Sequence, residues 1–222
     1  MKTIKGVILS RTEMTGSRFC SSIAVLGANR YLAQARLMNA HGGHLNSEGL
    51  SFGRKKMDRL WARGRLIEAE VVDGCRPRAT HPEDLWVRPH TILLGEELGE
   101  TDMRTVEDEF TCRTLHDLFP GIQIDSRTHK AHVPAGRIAR SIGYVTCRFV
   151  HTLSRPDAIV TDSAGVKIVV AVKGTRLVRK IVADKRPTVY KNVTARLALA
   201  GQFGGERWDT ERCYVMLSDV IE

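Results

Sequence analysis

The segments Arg155-Pro156-Asp157-Ala158-Ile159-Val160, Thr161-Asp162-Ser163-Ala164-Gly165 and Val166-Lys167-Ile168-Val169-Val170-Ala171-Val172-Lys173-Gly174-Thr175 are the most sharply patterned part of the chain. Two short runs rich in Val and Ile flank a polar Asp/Ser/Gly segment, which is the pattern of a β-hairpin. A hairpin folds its two ends together, so Asp157 at the entrance and Lys173 at the exit come side by side. Alternation along the second strand puts Ala171 and Lys173 on one face and Val172 on the other.

Outward from the hairpin, residues 143–150 (Gly-Tyr-Val-Thr-Cys-Arg-Phe-Val) read as a strand leading into it, and Ile122 to Asp125 and Lys130 to Val133 as further strands. Upstream, Thr105 fits a helix cap with Glu107, Asp108 and Glu109 in the first turn, where the helix dipole favours acids. That helix is expected to run through Phe110, Leu115 and Phe119 to Pro120-Gly121. Downstream lie Arg176, Arg179 and Lys180, then a helix from about Val189 to Leu199 and a last strand, Cys213 to Leu217.

The N-terminal part reads differently. Residues 1–10 form a strand; a helix follows from Tyr31 to Met38, capped by Asn29 and stopped by Gly42-Gly43. A second helix runs from after Ser51 to Arg63 and carries Arg54, Lys55, Lys56, Arg59 and Arg63. Residues 66–72 and 85–87 then make a two-stranded hairpin with Arg76 and Arg78 at its basic tip. Helix, turn, basic helix and basic-tipped hairpin is the order of a winged helix-turn-helix, in which the second helix enters the major groove and the hairpin tip touches phosphates. Residues 89–104 read as the connection between domains. No internal repeat is visible.

Composition narrows the classes. The chain has 222 residues, 42% of them hydrophobic, and a net charge of +9. That is enough chain for one large or two small cores, and the charge attracts polyanions before any specific contact is made. No apolar window approaches the ~18 residues of a membrane span, and no secretory signal is apparent, so a cytoplasmic protein without a membrane partner is expected. Five scattered cysteines, none in a CxxC pair, argue for free thiols rather than disulfides or a zinc knuckle. His41-Gly42-Gly43-His44 has a spacing that metal ligands use, but its glycines argue for a turn.

Pro156-Asp157, the polar turn and the Val170-Ala171-Val172-Lys173 strand resemble the signature of the PD-(D/E)xK nuclease superfamily. With Glu109-Phe110 upstream and the closing aromatic-apolar strand, residues 105 to 220 resemble the TnsA-type transposon endonucleases. The resemblance implies a restriction-endonuclease-like mixed sheet flanked by helices over residues 96–222; with the mostly helical, winged-helix-like module read over 1–95, which would bind DNA or a protein partner, the expected fold class is α/β. The resemblance implies Mg²⁺ or Mn²⁺ held by Glu109, Asp157 and the carbonyl of Val172, with Lys173 orienting the attacking water. It also implies DNA as substrate, with a transposase and an ATPase regulator as partners.

Ala171 departs from the motif, because a methyl group stands where the acid belongs. Three explanations remain open: a substitution that silences the enzyme, a naturally inactive member that only binds, or another group supplying the ligand. The expected function is therefore a metal-dependent DNA endonuclease that lacks one active-site acid. The alternative is a non-catalytic DNA-binding regulator or assembly factor on a degenerate nuclease fold. Arg54, Lys55, Lys56, Arg59, Arg63, Arg76, Arg78, Arg176, Arg179 and Lys180 are the expected DNA contacts.

Overall fold

The computed structural model describes residues 2–13, 17–28, 30–41, 43–47, 50, 57–73, 81–151, 157–173, 188–200 and 212–221. It forms two compact units, one of residues 1–77 and 83–110, the other of 78–82 and 111–222. Neither is the expected α/β sheet flanked by helices, and the first is mostly strand rather than mostly helical. Each is a closed β-barrel.

The first unit contains β1 (Lys2–Glu13), β2 (Arg18–Leu26), β3 (Tyr31–Asn39), β4 (Leu45–Asn46), α1 (Met57–Leu60), β5 (Arg65–Val71), β6 (Asp84–Val87), β7 (Leu93–Glu97) and α2 (Glu100–Phe110). Its strands follow the order β1-β2-β3-β6-β5, and β5 returns to β1. Only β3 and β6 run parallel within that ring. Ile4, Ile8, Phe19, Ile23, Ala35, Leu37, Ile67, Ala69 and Val87 fill the interior. Met57 and Trp61, in and just after α1, complete that core. The Trp61 ring stands edge-on to Phe19, with centroids 5.0 Å apart, and its Nε1–H donates to Ser21 Oγ at 2.8 Å, so its polar atom is satisfied inside the barrel. Strands β1 and β2 approach so closely that a Cβ on Gly6 would lie 2.5 Å from the Ala24 carbonyl oxygen.

The second unit contains β8 (Thr111–Cys112), α3 (Leu115–Leu118), β9 (Gln123–Ile124), β10 (Ala131–Pro134), β11 (Ile142–His151), β12 (Asp157–Asp162), β13 (Lys167–Val172), β14 (Thr188–Leu199) and β15 (Arg212–Ile221). The ring here is β11-β12-β13-β15-β14 and back to β11, with β13 and β15 as its parallel pair. In each ring the first three strands form a meander, the fifth lies parallel to the third, and the fourth closes on the first. That is the five-stranded Greek-key barrel of oligonucleotide- and oligosaccharide-binding domains. The chain thus contains a structural repeat that its sequence does not display.

The corrections have physical causes. Tyr31 to Met38 is rich in good helix formers, but as β3 its backbone groups pair with β2 on one side and β6 on the other, and tertiary pairing overrides a weak local propensity. The expected helix from Val189 to Leu199 is β14, and Val193, Ala195, Leu197 and Leu199 alternate into the core. The supposed wing is two strands of the barrel, with β5 laddered mainly to β1 and β7. Of the expected basic helix, Met57 to Leu60 is helical, and Arg54, Lys55 and Lys56 lie outside the described residues. The helix expected from Thr105 to Phe119 is divided between α2, which begins at Glu100, and the short α3. The supposed interdomain connection contains β7 and the first turn of α2.

Other expectations match. β1, β11, β15 and the β12–β13 hairpin form where the sequence places strands, and Gly165 takes the positive φ of 83° in the hairpin turn. No helix among the described residues is long and apolar enough to cross a membrane.

Candidate nucleic-acid interface

The hairpin places Asp157 directly opposite Ala171 in the antiparallel ladder, both half-exposed on the outside of the second barrel. Val172 turns inward and is buried in the core, and Lys173 follows, exposed, with its backbone N–H donating to the Leu217 carbonyl at 2.8 Å. Glu109 is an exposed residue of α2 and belongs to the other unit. Among the described residues, no three His, Cys, Asp or Glu side chains converge on a point where a metal ion could sit. At this pair Asp157 supplies one carboxylate and Ala171 none.

Asp162, at the far end of the same hairpin, does a different job. Its carboxylate is buried and accepts from the backbone N–H groups of Leu115 at 2.8 Å, Ala164 at 3.0 Å and Val166 at 2.8 Å. It ties the first turn of α3 to the hairpin turn, supplementing the Thr114–Asp117 capping box. α3 is thereby held with Leu115, Leu118 and Phe119 in the core of the second barrel. The polar hairpin turn is therefore also the anchor of that helix.

The basic residues divide as well. Arg76, Arg78, Arg176, Arg179 and Lys180, like Arg54, Lys55 and Lys56, lie outside the described residues. Arg59 is exposed near the end of α1. Arg63 is engaged by acids of its own unit: its fork donates to Glu107 twice at 2.6 Å and to Glu100 at 2.8 and 3.2 Å. Those hydrogen bonds, led by Glu107, raise the Arg63 pKa further, and Arg63 in turn holds Glu100 below the usual carboxylate range. Arg63 therefore fastens α2 to the first barrel rather than presenting a charge to a ligand. His41 and Gly43 lie in a turn, as the glycines imply. The described cysteines Cys20, Cys112, Cys147 and Cys213 are unbridged, and burial pushes the Cys147 thiol up to about 12.

Two cross-strand rows on the outside of the second barrel escaped the sequence reading. The first is aliphatic: Val189 of β14 pairs with Val150 of β11, Val150 with Ile159 of β12, and Ile159 with Val169 of β13. Val150, Ile159 and Val169 are half-buried, whereas Val189 is 47% exposed. The second row lies two residues further along the strands, with Arg148 paired to Thr161 and Thr161 to Lys167. Opposite Arg148 the ladder slips at Lys191 and Asn192, and Asn192 adopts φ 54°, the geometry of a bulge. Arg148, Lys167 and Lys191 are all exposed. The alternation that placed Ala171 and Lys173, carried back through β12 and β11, would have found Lys167 and Arg148.

The matching outer face of the first barrel is closed. Ser22 and Arg36 are cross-strand partners, as are Ala24 and Gln34, and Ser22, Ala24 and Arg36 are buried. Arg36 forms a buried ion pair with Asp84, Nε to Oδ1 at 2.6 Å, and Ser22 Oγ lies 2.7 Å from Ser10 Oγ. Helix α2 packs against β3 in this unit, and burial, with the carboxylates of Glu109 and Asp102, raises the Tyr31 phenol above its usual pKa. No protein-family model and no curated protein matches this chain.

Proposed function

We infer that this chain is a non-catalytic nucleic-acid-binding protein that holds single-stranded DNA or RNA on a Greek-key barrel. The observation that carries this reading is the recurrence of the barrel. Its outer face on the second and third strands is a recurrent site for oligonucleotides and oligosaccharides. The net charge of +9 favours the polyanion over a neutral sugar. The unbridged thiols fit a reducing compartment such as the cytoplasm.

A binding titration tests the reading. Labelled single strands should bind at low salt with an affinity that falls steeply as salt rises, and neutral oligosaccharides should not bind. Saturable binding of a neutral oligosaccharide with no response to oligonucleotides would replace this function with sugar recognition.

A second reading, the Mg²⁺-dependent DNA endonuclease with a transposase and an ATPase regulator as partners, keeps one supporting observation. Asp157 and Ala171 do face each other as the motif requires. Restoring the acid with Ala171→Glu distinguishes the two. The binding reading expects no Mg²⁺-dependent nicking of supercoiled DNA, whereas nicking that Asp157→Ala abolishes would establish the nuclease.

A further inference from the structure

We propose that the two barrels have diverged in use: only the outer face of the second is a nucleic-acid contact, with the phosphodiester backbone along Lys191, Arg148 and Lys167 and the nucleosides against the row Val189, Val150, Ile159 and Val169. The proposal rests on the nucleic-acid reading above and assigns to that reading a site and a mode of recognition.

The charges that matter are the ones without acids. Among the described residues Arg148, Lys167 and Lys191 are exposed and no carboxylate pairs with them, whereas Arg36 on the corresponding face of the first barrel is buried against Asp84. A buried, paired guanidinium offers a phosphate nothing, while an exposed unpaired one releases a counterion when the phosphate arrives. Asp157, the acid of this outer face, lies beyond the aliphatic row, opposite Ala171 and away from Arg148 and Lys167. Among the described residues the face thus has three exposed cations on one side of an apolar strip, and Asp157 together with the exposed Lys173 on the other. A polyanion with an apolar side meets both rows in one orientation.

The strip is aliphatic, which sets the kind of recognition. No aromatic residue occupies these two rows, so bases gain van der Waals contact but not the stacking on aromatic rings that strengthens many single-strand binders. Four strands at about 4.8 Å spacing make a row roughly 14 Å long, a short footprint for one such barrel. Affinity should therefore be modest, led by phosphate contacts, and nearly indifferent to base sequence.

The test uses the full chain and a fluorescein-labelled oligothymidylate of about 20 nucleotides, read by anisotropy. The variant Arg148→Glu/Lys167→Glu/Lys191→Glu should lose at least about tenfold in affinity at low salt and flatten the log–log salt slope by about two, at about 0.7 per phosphate contact. A reference variant at exposed cations of the first barrel, Lys2→Glu/Arg30→Glu, should stay within about twofold. Both should melt with the parent, because the altered side chains are exposed.

If the parent binds and the triple variant keeps its affinity and slope, the site is elsewhere and the proposal is overturned, though the nucleic-acid reading survives. If the parent binds neither oligothymidylate nor oligouridylate at low salt, the nucleic-acid reading fails and takes the proposal with it. If Ile159→Asp converts a sedimenting dimer to monomer without changing oligonucleotide binding, the strip belongs to a second copy of this chain and the proposal is overturned.

Discussion

The two barrels share a strand order and a single parallel closure, but they treat their outer faces in opposite ways. In the first, Ser10 and Ser22 bond to each other, Arg36 is locked to Asp84, and the face is buried. In the second, the corresponding strands carry half-buried aliphatics flanked by exposed cations. The difference teaches that topology supplies a platform, while the outward half of each alternating strand decides whether it is available. Two copies of one architecture can thus be divided between structure and recognition.

The sharpest way to break the contrast is to remove one acid. Asp84→Ala strands the buried Arg36 charge and should destabilise the first barrel by about 3–5 kcal/mol, as loss of one partner of a buried pair does. Arg148→Ala on the second barrel, exposed and without an acid partner among the described residues, should change stability by less than about 0.5 kcal/mol. Urea unfolding of the two variants measures both, and equal losses would erase the distinction between a closed and an open face.

A smaller effect compares two acids of one hairpin. Asp162→Ala releases three backbone N–H groups and the tie to α3, and should cost on the order of 3 kcal/mol in the urea midpoint analysis. Asp157→Ala, half-exposed on the outer face, should cost less than about 0.5 kcal/mol. A larger loss at Asp157 than at Asp162 would mean that the motif acid, not the helix anchor, holds the hairpin.

The smallest effect concerns the interior of the second barrel. Burial raises the Cys147 thiol to about 12, so its neutral form is favoured in the folded state. Its contribution to stability is complete below the unfolded thiol pKa of about 8.5 and declines as pH rises from there toward the folded value. Native alkylation at mildly alkaline pH should modify the half-buried Cys20 and Cys112 well before Cys147. Early modification of Cys147 would show that this core opens readily.

Legibility in the sequence followed the strength of the local pattern. The β12–β13 hairpin is readable because Val and Ile runs flank an Asp/Ser/Gly turn, and β1, β11 and β15 are readable from their apolar runs. β14 carried the same alternation at Val193, Ala195, Leu197 and Leu199, yet its mixture of alanines and leucines also suits a helix. β3 is the hardest case, since Leu, Ala, Gln, Arg and Met all favour a helix by a few tenths of a kcal/mol at most. Once those two segments are read as helices, a barrel becomes a sheet with helices around it, and the Pro-Asp motif acquires a nuclease scaffold that the chain does not build. The candidate face was half legible: Lys167 and Arg148 follow from alternation, but Lys191 depends on a bulge and Val189 on a strand read as a helix.

The sequence by itself determined the hairpin, its turn, the inward and outward residues of its strands, and a cationic surface, because these depend on period-2 alternation, turn chemistry and formal charge. The tertiary structure alone decided that the strands close into two rings, that Arg36 and Arg63 are consumed by acids distant in sequence, and that Glu109 and Asp157 belong to different units. Those outcomes depend on pairings between residues far apart along the chain, and no local pattern encodes which remote partner a strand or a charge will meet.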